Sequence, residues 1–407
     1  MTVLIVGAGA SGMMAALAAS ENPACRVILL ERQVRVGRKL LATGNGRCNL
    51  TNLAAAPADY HGEDASFCAP ALRAFGPEAT LAYFRSLGLL TAAEPSGRVY
   101  PLSDQANSVV DVLRFALEQP NVELRAGCEV RRVWRKGDGF LLKTTSGDVE
   151  GGRLIVAAGG AAGEKLGGTR AGYDMLASLG HACTPLRPSL VQLAVNGGAT
   201  RALKGVRADG TVEVVSGGRV LARSEGEIQF TEFGLSGPAV FEISRAASTA
   251  GGPVALRLDL LRGVAEDELL SLLRARRERF PALTAENLLT GILHNRLGRV
   301  LVQNAGIPLS APLSSLGGDE LARAAGTVKH FELGFEYALG FESAQVTVGG
   351  ARTAEFDPET MASRLVPGLY ACGEVLDIDG DCGGFNLQWA WSSGRAAGLA
   401  AAREAAV

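Results

Sequence analysis

Three glycines follow the first apolar segment at the spacing Gly7-x-Gly9-x-x-Gly12. Residues 3–6 before them predict a buried strand, and residues 13–19 after them predict a helix. Glycines in this position let the backbone approach a pyrophosphate, and the start of a helix supplies unpaired N–H groups and positive potential. The N-terminal residues therefore predict a strand, turn and helix that bind a dinucleotide.

An acidic residue completes this βαβ unit. Glu31 directly follows a second predicted strand over residues 26–30 and lies nineteen positions after Gly12. A carboxylate at this place accepts hydrogen bonds from the adenosine ribose and disfavours a 2′-phosphate. The unit therefore favours FAD or NAD over NADP, and a glycine turn with no ligand is the structural alternative.

The C-terminal region carries a second glycine-rich segment that favours FAD over NAD. It runs from Gly368 through Gly373 and Glu374 to Asp377, and a turn over 380–384 precedes a helix predicted to start near Asn386. FAD is long, so its flavin half needs a second loop, and the N–H groups of that helix would face the pyrimidine edge of the flavin. An unrelated turn before a C-terminal helix is the alternative.

A third segment, residues 38–52, combines basic residues with glycines and short amides. Such a loop offers backbone donors to an anion or a ring. On residue types alone, a solvated basic loop and a cofactor loop are equally consistent with it.

With these segments in order, the chain resembles the bacterial BaiN-like (HI0933-type) flavoproteins of the aminoacetone-oxidase family. The resemblance extends nearly end to end. It rests on the segments at 7–12, 37–52, 97–101, 235–238, 345–350, 369–377 and 383–388. It implies a FAD-dependent oxidoreductase that transfers hydride between flavin N5 and a small organic substrate, with NADH or NADPH as a candidate reductant.

The chain departs from this family in two places. Glu232 stands where the family often has histidine, so no role of that histidine is carried over. Phe385 stands where the family usually has tyrosine, which keeps the ring and loses the hydroxyl. The resemblance does not fix the substrate, so an amine or amino-ketone oxidase that uses O₂ and a non-catalytic, flavin-holding or RNA-binding protein remain alternatives.

The motifs and the resemblance together give a set of expected cofactor-binding residues, with no residue assigned as catalytic. They are Gly7, Gly9, Ala10, Ser11, Gly12, Glu31, Arg32, Lys39, Thr43, Gly44, Asn45, Arg47, Cys48, Ala158, Gly159, Gly160, Gly373, Glu374, Asp377, Gly384, Phe385, Asn386, Leu387 and Gln388.

The predicted fold class is α/β, because both ends of the chain build one Rossmann-like FAD-binding domain. The middle must then be an insertion. Short alternating runs between 190 and 260 predict a β-barrel, and the leucine spacing over 265–279 and 285–304 predicts helices. The expected organisation is a FAD-binding domain at 1–188 and 346–407, a barrel at 189–262 and 328–345, and a helical subdomain at 263–327.

Several other patterns in the sequence give weaker signals. Gly159-Gly160-x-x-Gly163 lacks the spacing of a second dinucleotide motif, and Gly-Leu-Ser-Gly at 234–237 lacks the spacing of a nucleophile elbow. The four histidines are scattered, so we expect no metal site. The arginines at 274–279 favour a solvated helix face over an RNA contact. Cys48 is expected to pack near the flavin as a small residue, with a reactive thiolate as the alternative.

Composition agrees with a folded enzyme. Of 407 residues, 47% are hydrophobic and the net charge is −2. This excludes a wholly disordered or fibrous chain and gives no bulk attraction to nucleic acid or anionic lipid. No basic N-terminal region and no apolar stretch of about 20 residues is present, so we expect a cytoplasmic protein. Seven cysteines without a Cys-x-x-Cys pair predict reduced thiols.

Overall fold

The apolar run at the start of the chain forms the middle strand of a five-stranded parallel sheet. This computed structural model describes residues 1–403. The strands lie in the order Leu369–Ala371, Arg153–Val156, Thr2–Val6, Arg26–Glu31 and Val122–Ala126. Their buried Val, Ile and Leu residues are typical of a parallel sheet that is covered on both faces. Arg153–Val156 pairs on one side with Thr2–Val6, the first strand in the chain, and on the other side with Leu369–Ala371, the last strand of this sheet in the chain.

Two helices from opposite ends of the chain pack closely in this first unit. The N-terminal helix is Ala10–Ser20 and the C-terminal helix is Phe385–Arg403. A Cβ atom at Gly394 would overlap the carbonyl oxygen of Ser11, and one at Gly398 would overlap that of Ala15. Because glycine has no side chain, the backbones of the two helices can lie in contact at Gly394 and Gly398.

The first compact unit consists of Met1–Arg187 and residues 345–403. Its other helices are Ala69–Ala74, Pro77–Ser86, Ala106–Ala116 and Ala171–Ser178, with shorter 3₁₀ turns at Leu40–Gly46, Pro57–Asp59, Ala65–Cys68, Glu164–Leu166, Thr353–Glu355 and Gly373–Val375. Its smaller strands are Thr51–Asn52, Tyr60–His61, Thr91–Ala93, Arg98–Pro101, Val130–Lys136, Gly139–Thr144, Gly147–Gly151, Val346–Val348 and Asp379–Gly380. The short strand Arg187–Ser189 spans the unit boundary.

The second unit, Pro188–Ala344, contains a closed six-stranded barrel. Its strands are Leu193–Val195, Arg207–Ser216, Arg219–Phe230, Gly234–Ser236, Ala255–Asp259 and Phe331–Ala338. Its helices are Ala199–Ala202, Pro238–Thr249, Glu266–Arg279, Asn295–Asn304 and Gly318–Lys329, with 3₁₀ turns at Ala285–Asn287 and Leu313–Ser315. Alternate residues such as Val212, Val214, Leu256 and Leu258 fill the core.

The predicted fold class, a Rossmann-like FAD-binding domain with an inserted barrel and helical part, is confirmed. One local expectation is wrong: residues 285–304 do not form one helix. A 3₁₀ turn over Ala285–Asn287 precedes a helix that starts at Asn295. Gly291 between them has a φ of +78°, which an α-helix does not accommodate. No helix among residues 1–403 has the length and apolar character of a membrane span.

A buried imidazole in the first unit predicts acid sensitivity. His181 stacks on Phe356 at 4.5 Å, and its two ring nitrogens lie 2.8 Å from Glu355 Oε2 and 2.9 Å from Ser363 Oγ. Loss of hydration lowers the pKa of His181, and the Glu355 carboxylate opposes this shift without reversing it. The folded protein therefore keeps the ring neutral where the unfolded chain, with a pKa of about 6.5, takes up a proton.

The free energy of unfolding should accordingly fall as the pH drops below about 6.5, because the unfolded chain binds the extra proton. His181→Gln removes the titrating ring and most of its stabilising contacts. We therefore expect the free energies of unfolding of wild type and variant to differ most near pH 7 and to converge towards pH 5. Urea unfolding of both proteins at several pH values measures this. A difference that stays constant over the range would contradict it.

Candidate functional site

The first glycine turn closes tightly at two of its three glycines and stays open at the third. Gly7 has a φ of +103°, and a Cβ atom there would lie 2.5 Å from the carbonyl oxygen of Ala157. A Cβ atom at Gly12 would overlap the carbonyl oxygen of Gly7. A Cβ atom at Gly9 would meet no protein atom within 4 Å. Gly7 and Gly12 therefore shape the turn, whereas Gly9 leaves a backbone face uncovered.

The uncovered face lies at the start of a helix. Gly9 caps the helix Ala10–Ser20 and supplies no side-chain hydrogen bond to it. The first N–H groups of an α-helix have no partner within the helix, and they carry the positive end of its dipole. The N–H groups of Ala10, Ser11 and Gly12 belong to this first turn. The turn has the geometry of an anion site.

Glu31 is held at the end of its strand beside this turn. Its Oε2 accepts a hydrogen bond from the N–H of Ala8 at 2.8 Å, and its Oε1 accepts one from the N–H of Gln33 at 2.8 Å. A carboxylate accepts about four hydrogen bonds, so two backbone donors orient it and leave capacity for hydroxyl groups. The adjacent Arg32 instead donates to the carbonyl oxygen of Gly167 at 2.8 Å.

A second uncovered glycine follows the neighbouring parallel strand. After Val156 the chain passes through Ala158 to Gly159, which has a φ of +72°. A Cβ atom at Gly159 would meet no protein atom within 4 Å. Gly160 is tight, since its Cβ would lie 2.6 Å from Glu374 Oε1. Two adjacent strands thus end in open backbone at the carboxyl edge of the sheet, where ligands bind in open α/β folds.

The C-terminal segment packs directly on the first glycine turn. Gly373 has a φ of +75°, and a Cβ atom there would lie 2.5 Å from Ser11 Oγ. The N–H of Gly373 donates to Ser393 Oγ at 2.9 Å, and its carbonyl oxygen accepts from Trp389 Nε1 at 3.1 Å. The beginning and the end of the chain therefore meet at one place.

An ion pair joins the basic loop to the same place. Lys39 Nζ lies 2.7 Å from Glu374 Oε2, across 335 residues of sequence. The other carboxylate oxygen, Oε1, accepts the N–H of Thr347 at 2.8 Å. Both charged side chains are largely covered, with 31% and 20% exposure. Glu374 thus joins the segments 38–52, 345–350 and 369–377. Thr347 lies in the second of these segments but was not among the predicted site residues.

The loop that follows Lys39 has an irregular backbone. Gly44, Asn45, Gly46 and Cys48 all have positive φ angles. The Thr43 hydroxyl donates to the carbonyl oxygen of Leu40 at 2.7 Å. A Cβ atom at Gly46, like one at Gly9, would meet nothing within 4 Å. Gly46, like Gly9 and Gly159, thus lies in a predicted cofactor segment and has an uncovered backbone face.

Two residues of this loop are engaged by the protein. The Arg47 guanidinium lies 3.9 Å from the Tyr100 ring centroid and pairs with Glu94 at 3.1 Å and Asp104 at 3.3 Å. The Cys48 thiol is fully buried, and loss of hydration raises its pKa to about 12. This favours the packing role for Cys48 over the thiolate, because the reactive form of a cysteine is the anion.

The turn before the C-terminal helix is fixed by its own polar side chains. Asn386 Oδ1 accepts the N–H of Gly380 at 2.9 Å, and Asn386 Nδ2 donates to the Gly380 carbonyl oxygen at 2.7 Å. Gly384 has a φ of +105°, and a Cβ there would lie 2.5 Å from the Thr51 carbonyl oxygen. The Phe385 ring packs edge to face on Tyr60. Leu387 is half-buried in the first turn of the helix.

Gln388 and Asp377 lie deeper than a ligand contact requires. The Gln388 side chain is fully buried and bonds to Thr51, Phe75, Thr80 and Ser392. Asp377 is 3% exposed and accepts the N–H of Glu63 at 3.1 Å, and burial raises its pKa. Both residues support the surrounding turns. The backbone N–H of Gln388 also donates to the carbonyl oxygen of Gly384, at 3.0 Å.

The arginine-rich helix of the second unit is less solvated than expected. The Arg276 guanidinium donates to the carbonyl oxygens of Leu288 at 2.8 Å and Thr290 at 2.6 Å. Arg277 donates to the carbonyl oxygen of Leu316 at 3.1 Å. These two side chains tie neighbouring turns to the helix, so their replacement would disturb the structure of the second unit.

FAD fits the arrangement of the first unit on two observations. Uncovered backbone at Gly9, Gly46 and Gly159 leaves room for a ligand at three separate loops. The Oδ1 atom of Asn49 is buried and has no hydrogen-bond partner within residues 1–403. Asn49 lies in the segment 37–52 that carries the family resemblance, but it was not among the predicted site residues. Its position beside several glycines in a cofactor-type loop was the sequence signal for it.

Comparisons with known proteins agree with this architecture. Residues 1–400 match the family model described as the HI0933-like protein Rossmann domain. The chain is 39% identical over 402 residues to the 3-dehydro-bile acid delta(4,6)-reductase of Clostridium scindens, covering 98% of each chain. It is 32% identical over 390 residues to the ribosomal RNA dihydrouridine synthase of Escherichia coli, covering 96% of this chain and 95% of the relative.

A solved structure shares the fold at low identity. A variant of the E. coli quinol fumarate reductase FrdA is 16% identical with a TM-score of 0.50, over 100% of this chain and 71% of that one. The full-length family match and the two relatives settle the affiliation. The chain belongs to the HI0933-like family of Rossmann-fold, FAD-dependent oxidoreductases.

Proposed function

We propose that this protein binds FAD along the carboxyl edge of its parallel sheet and reduces a carbon–carbon double bond conjugated to a carbonyl in a small organic substrate. NADH or NADPH would supply the hydride through flavin N5 to the β-carbon, and the α-carbon would take a proton from water. The observation that carries the proposal is the meeting of the two chain ends, where Gly373 touches Ser11 and Glu374 pairs with Lys39. A cofactor as long as FAD needs two such segments at one site.

The residues of the first unit divide between the two halves of the cofactor. The turn at Gly9 and the start of the helix at Ala10 would hold the pyrophosphate, and Glu31 would accept the ribose hydroxyls. Lys39 has N–H donors beyond the one bonded to Glu374, which suit the ribityl and flavin half. The helix that starts at Phe385 would stabilise negative charge on the pyrimidine edge.

The relatives support the substrate class. One name describes reduction at delta(4,6) of a 3-dehydro-bile acid, and the other describes formation of dihydrouridine. Both products arise when a carbon–carbon double bond near a carbonyl is saturated. That shared chemistry favours a reductase over an amine or amino-ketone oxidase. The use of Arg276 and Arg277 to hold backbone carbonyls favours a small molecule over RNA.

Anaerobic spectroscopy tests the proposal. Purified protein supplied with FAD should show the visible absorbance of bound flavin, and NADH or NADPH should bleach it. Added 2-cyclohexen-1-one should restore the absorbance, whereas the saturated control cyclohexanone should not. Absence of bound flavin would overturn the proposal. Rapid reoxidation by air with peroxide formation, and no response to the enone, would instead identify an oxidase.

A further inference from the structure

The buried amide oxygen of Asn49 is a side-chain acceptor of the candidate site that calls for a partner. Asn49 keeps only 9% of its exposure, and its Oδ1 has no hydrogen bond within the described residues 1–403. Buried polar groups in folded proteins are nearly always paired, and an exception needs an explanation such as an absent ligand. The oxygen is an acceptor, so its missing partner is a donor.

The position of this oxygen narrows the identity of the donor. A Cβ atom at Gly384 would lie 3.0 Å from Asn49 Oδ1, so the oxygen lies against the residue that precedes the 19-residue helix Phe385–Arg403. The first N–H groups of that helix have no partner within the helix. An acceptor and several donors therefore lie near each other, beside the loop of Gly44 and Gly46.

A neighbouring asparagine shows that burial in this loop does not by itself leave an amide unpaired. Asn52 lies three positions later and is 5% exposed. Its Nδ2 donates to the carbonyl oxygen of Gly383 at 3.0 Å, and its Oδ1 accepts the N–H of Ala54 at 3.0 Å. Both polar ends of Asn52 are satisfied by the protein, in contrast to Asn49.

The pyrimidine edge of a flavin complements this pattern, because its N3–H donor stands between two carbonyl acceptors. We infer that Asn49 Oδ1 accepts a hydrogen bond from flavin N3–H, while the start of the C-terminal helix donates to an adjacent carbonyl oxygen. The inference rests on the proposed FAD site and assigns to Asn49 the recognition of the ring, a role that the glycine motifs do not provide.

An analogue that lacks the donor provides the test. FAD methylated at N3 loses the N3–H group and leaves Asn49 unpaired. Fluorescence titration of the apoprotein should show that wild type binds 3-methyl-FAD about tenfold to a hundredfold more weakly than FAD, the range expected for one buried, unsatisfied polar group. This measurement needs no substrate and no turnover.

Two variants and a control make the test specific. In Asn49→Ala the preference for FAD over 3-methyl-FAD should shrink to about threefold or less, because the acceptor is gone. In Asn49→Asp the acceptor remains, so the preference should persist, and the added negative charge should make the flavin midpoint potential more negative. In Asn52→Ala the affinities for both cofactors should change by the same factor.

The outcomes separate the two proposals. Wild type that binds neither cofactor overturns the proposed function and this inference with it. Two outcomes overturn only the role of Asn49 if wild type binds FAD. One is that wild type shows no preference for FAD over 3-methyl-FAD, and the other is that this preference is unchanged in Asn49→Ala. If Asn49→Ala does not fold, an unchanged midpoint potential in Asn49→Asp overturns the inference, and a more negative potential supports it.

Discussion

Gly9→Ala is expected to fold like wild type and to bind FAD at least about a hundredfold more weakly, a loss of roughly 3 kcal/mol. The new methyl group meets no protein atom, and Gly9 has a φ of −82° that alanine adopts readily. It would instead occupy the backbone face to which the pyrophosphate is proposed to bind. Thermal unfolding of the apoprotein and titration with FAD measure the two effects separately.

The matched variant is Gly12→Ala, in which the added methyl overlaps the carbonyl oxygen of Gly7. We expect it to lower the free energy of unfolding by about 3 kcal/mol, because the turn and the helix must move apart. One glycine thus reports on the ligand and the other on the fold. Unaltered FAD affinity in Gly9→Ala would show that this face does not hold the cofactor.

Gly394→Ala should destabilise the protein by about 3 kcal/mol, although the same exchange in an unobstructed helix is stabilising by roughly 1 kcal/mol. The reversal arises because the new Cβ would overlap the Ser11 carbonyl oxygen and push the N-terminal and C-terminal helices apart. Since Ser11 also touches Gly373, we expect weaker FAD binding as well. Urea unfolding with and without FAD measures both changes.

Gly326→Ala is the control for helix propensity. Gly326 lies inside the helix Gly318–Lys329, and its new Cβ would be 3.4 Å from its nearest neighbour, Glu266 Oε1, which ends a flexible side chain. It should therefore be neutral or slightly stabilising. Equal effects of the two exchanges would show that the contact between the terminal helices is not the cause.

The sequence predicted the parts of the fold that depend on local patterns. The strand at 3–6, the glycine turn and the helix after it follow from apolar runs and glycine spacing, and the structure contains all three. The leucine spacing over 265–279 likewise predicted the helix Glu266–Arg279. The second leucine pattern failed because Gly291 interrupts it with a left-handed residue, which apolar spacing does not reveal.

Side-chain environments in the candidate site were harder to predict than the backbone. Gln388 and Asn386 have residue types that suit a ligand, yet their amides bond to the protein because the folded chain brings Thr51, Phe75 and the turn at Gly380 against them. In Asn49, which has the same type of amide, the Oδ1 atom has no hydrogen-bond partner within residues 1–403. Such differences arise from contacts between distant segments, which spacing alone does not encode.

The contact between Gly373 and Ser11 has a consequence for biosynthesis. Domains generally fold as units while the ribosome synthesises them from the N-terminus. The barrel-containing unit is continuous from Pro188 to Ala344 and can mature while the polypeptide is still being translated. The N-terminal sheet lacks its last strand and its partner helix until Leu369–Ala371 and Phe385–Arg403 have emerged. We therefore expect the cofactor site to be complete only after the C-terminal helix has been synthesised, and a nascent chain that stops before this helix would expose an unfinished sheet edge.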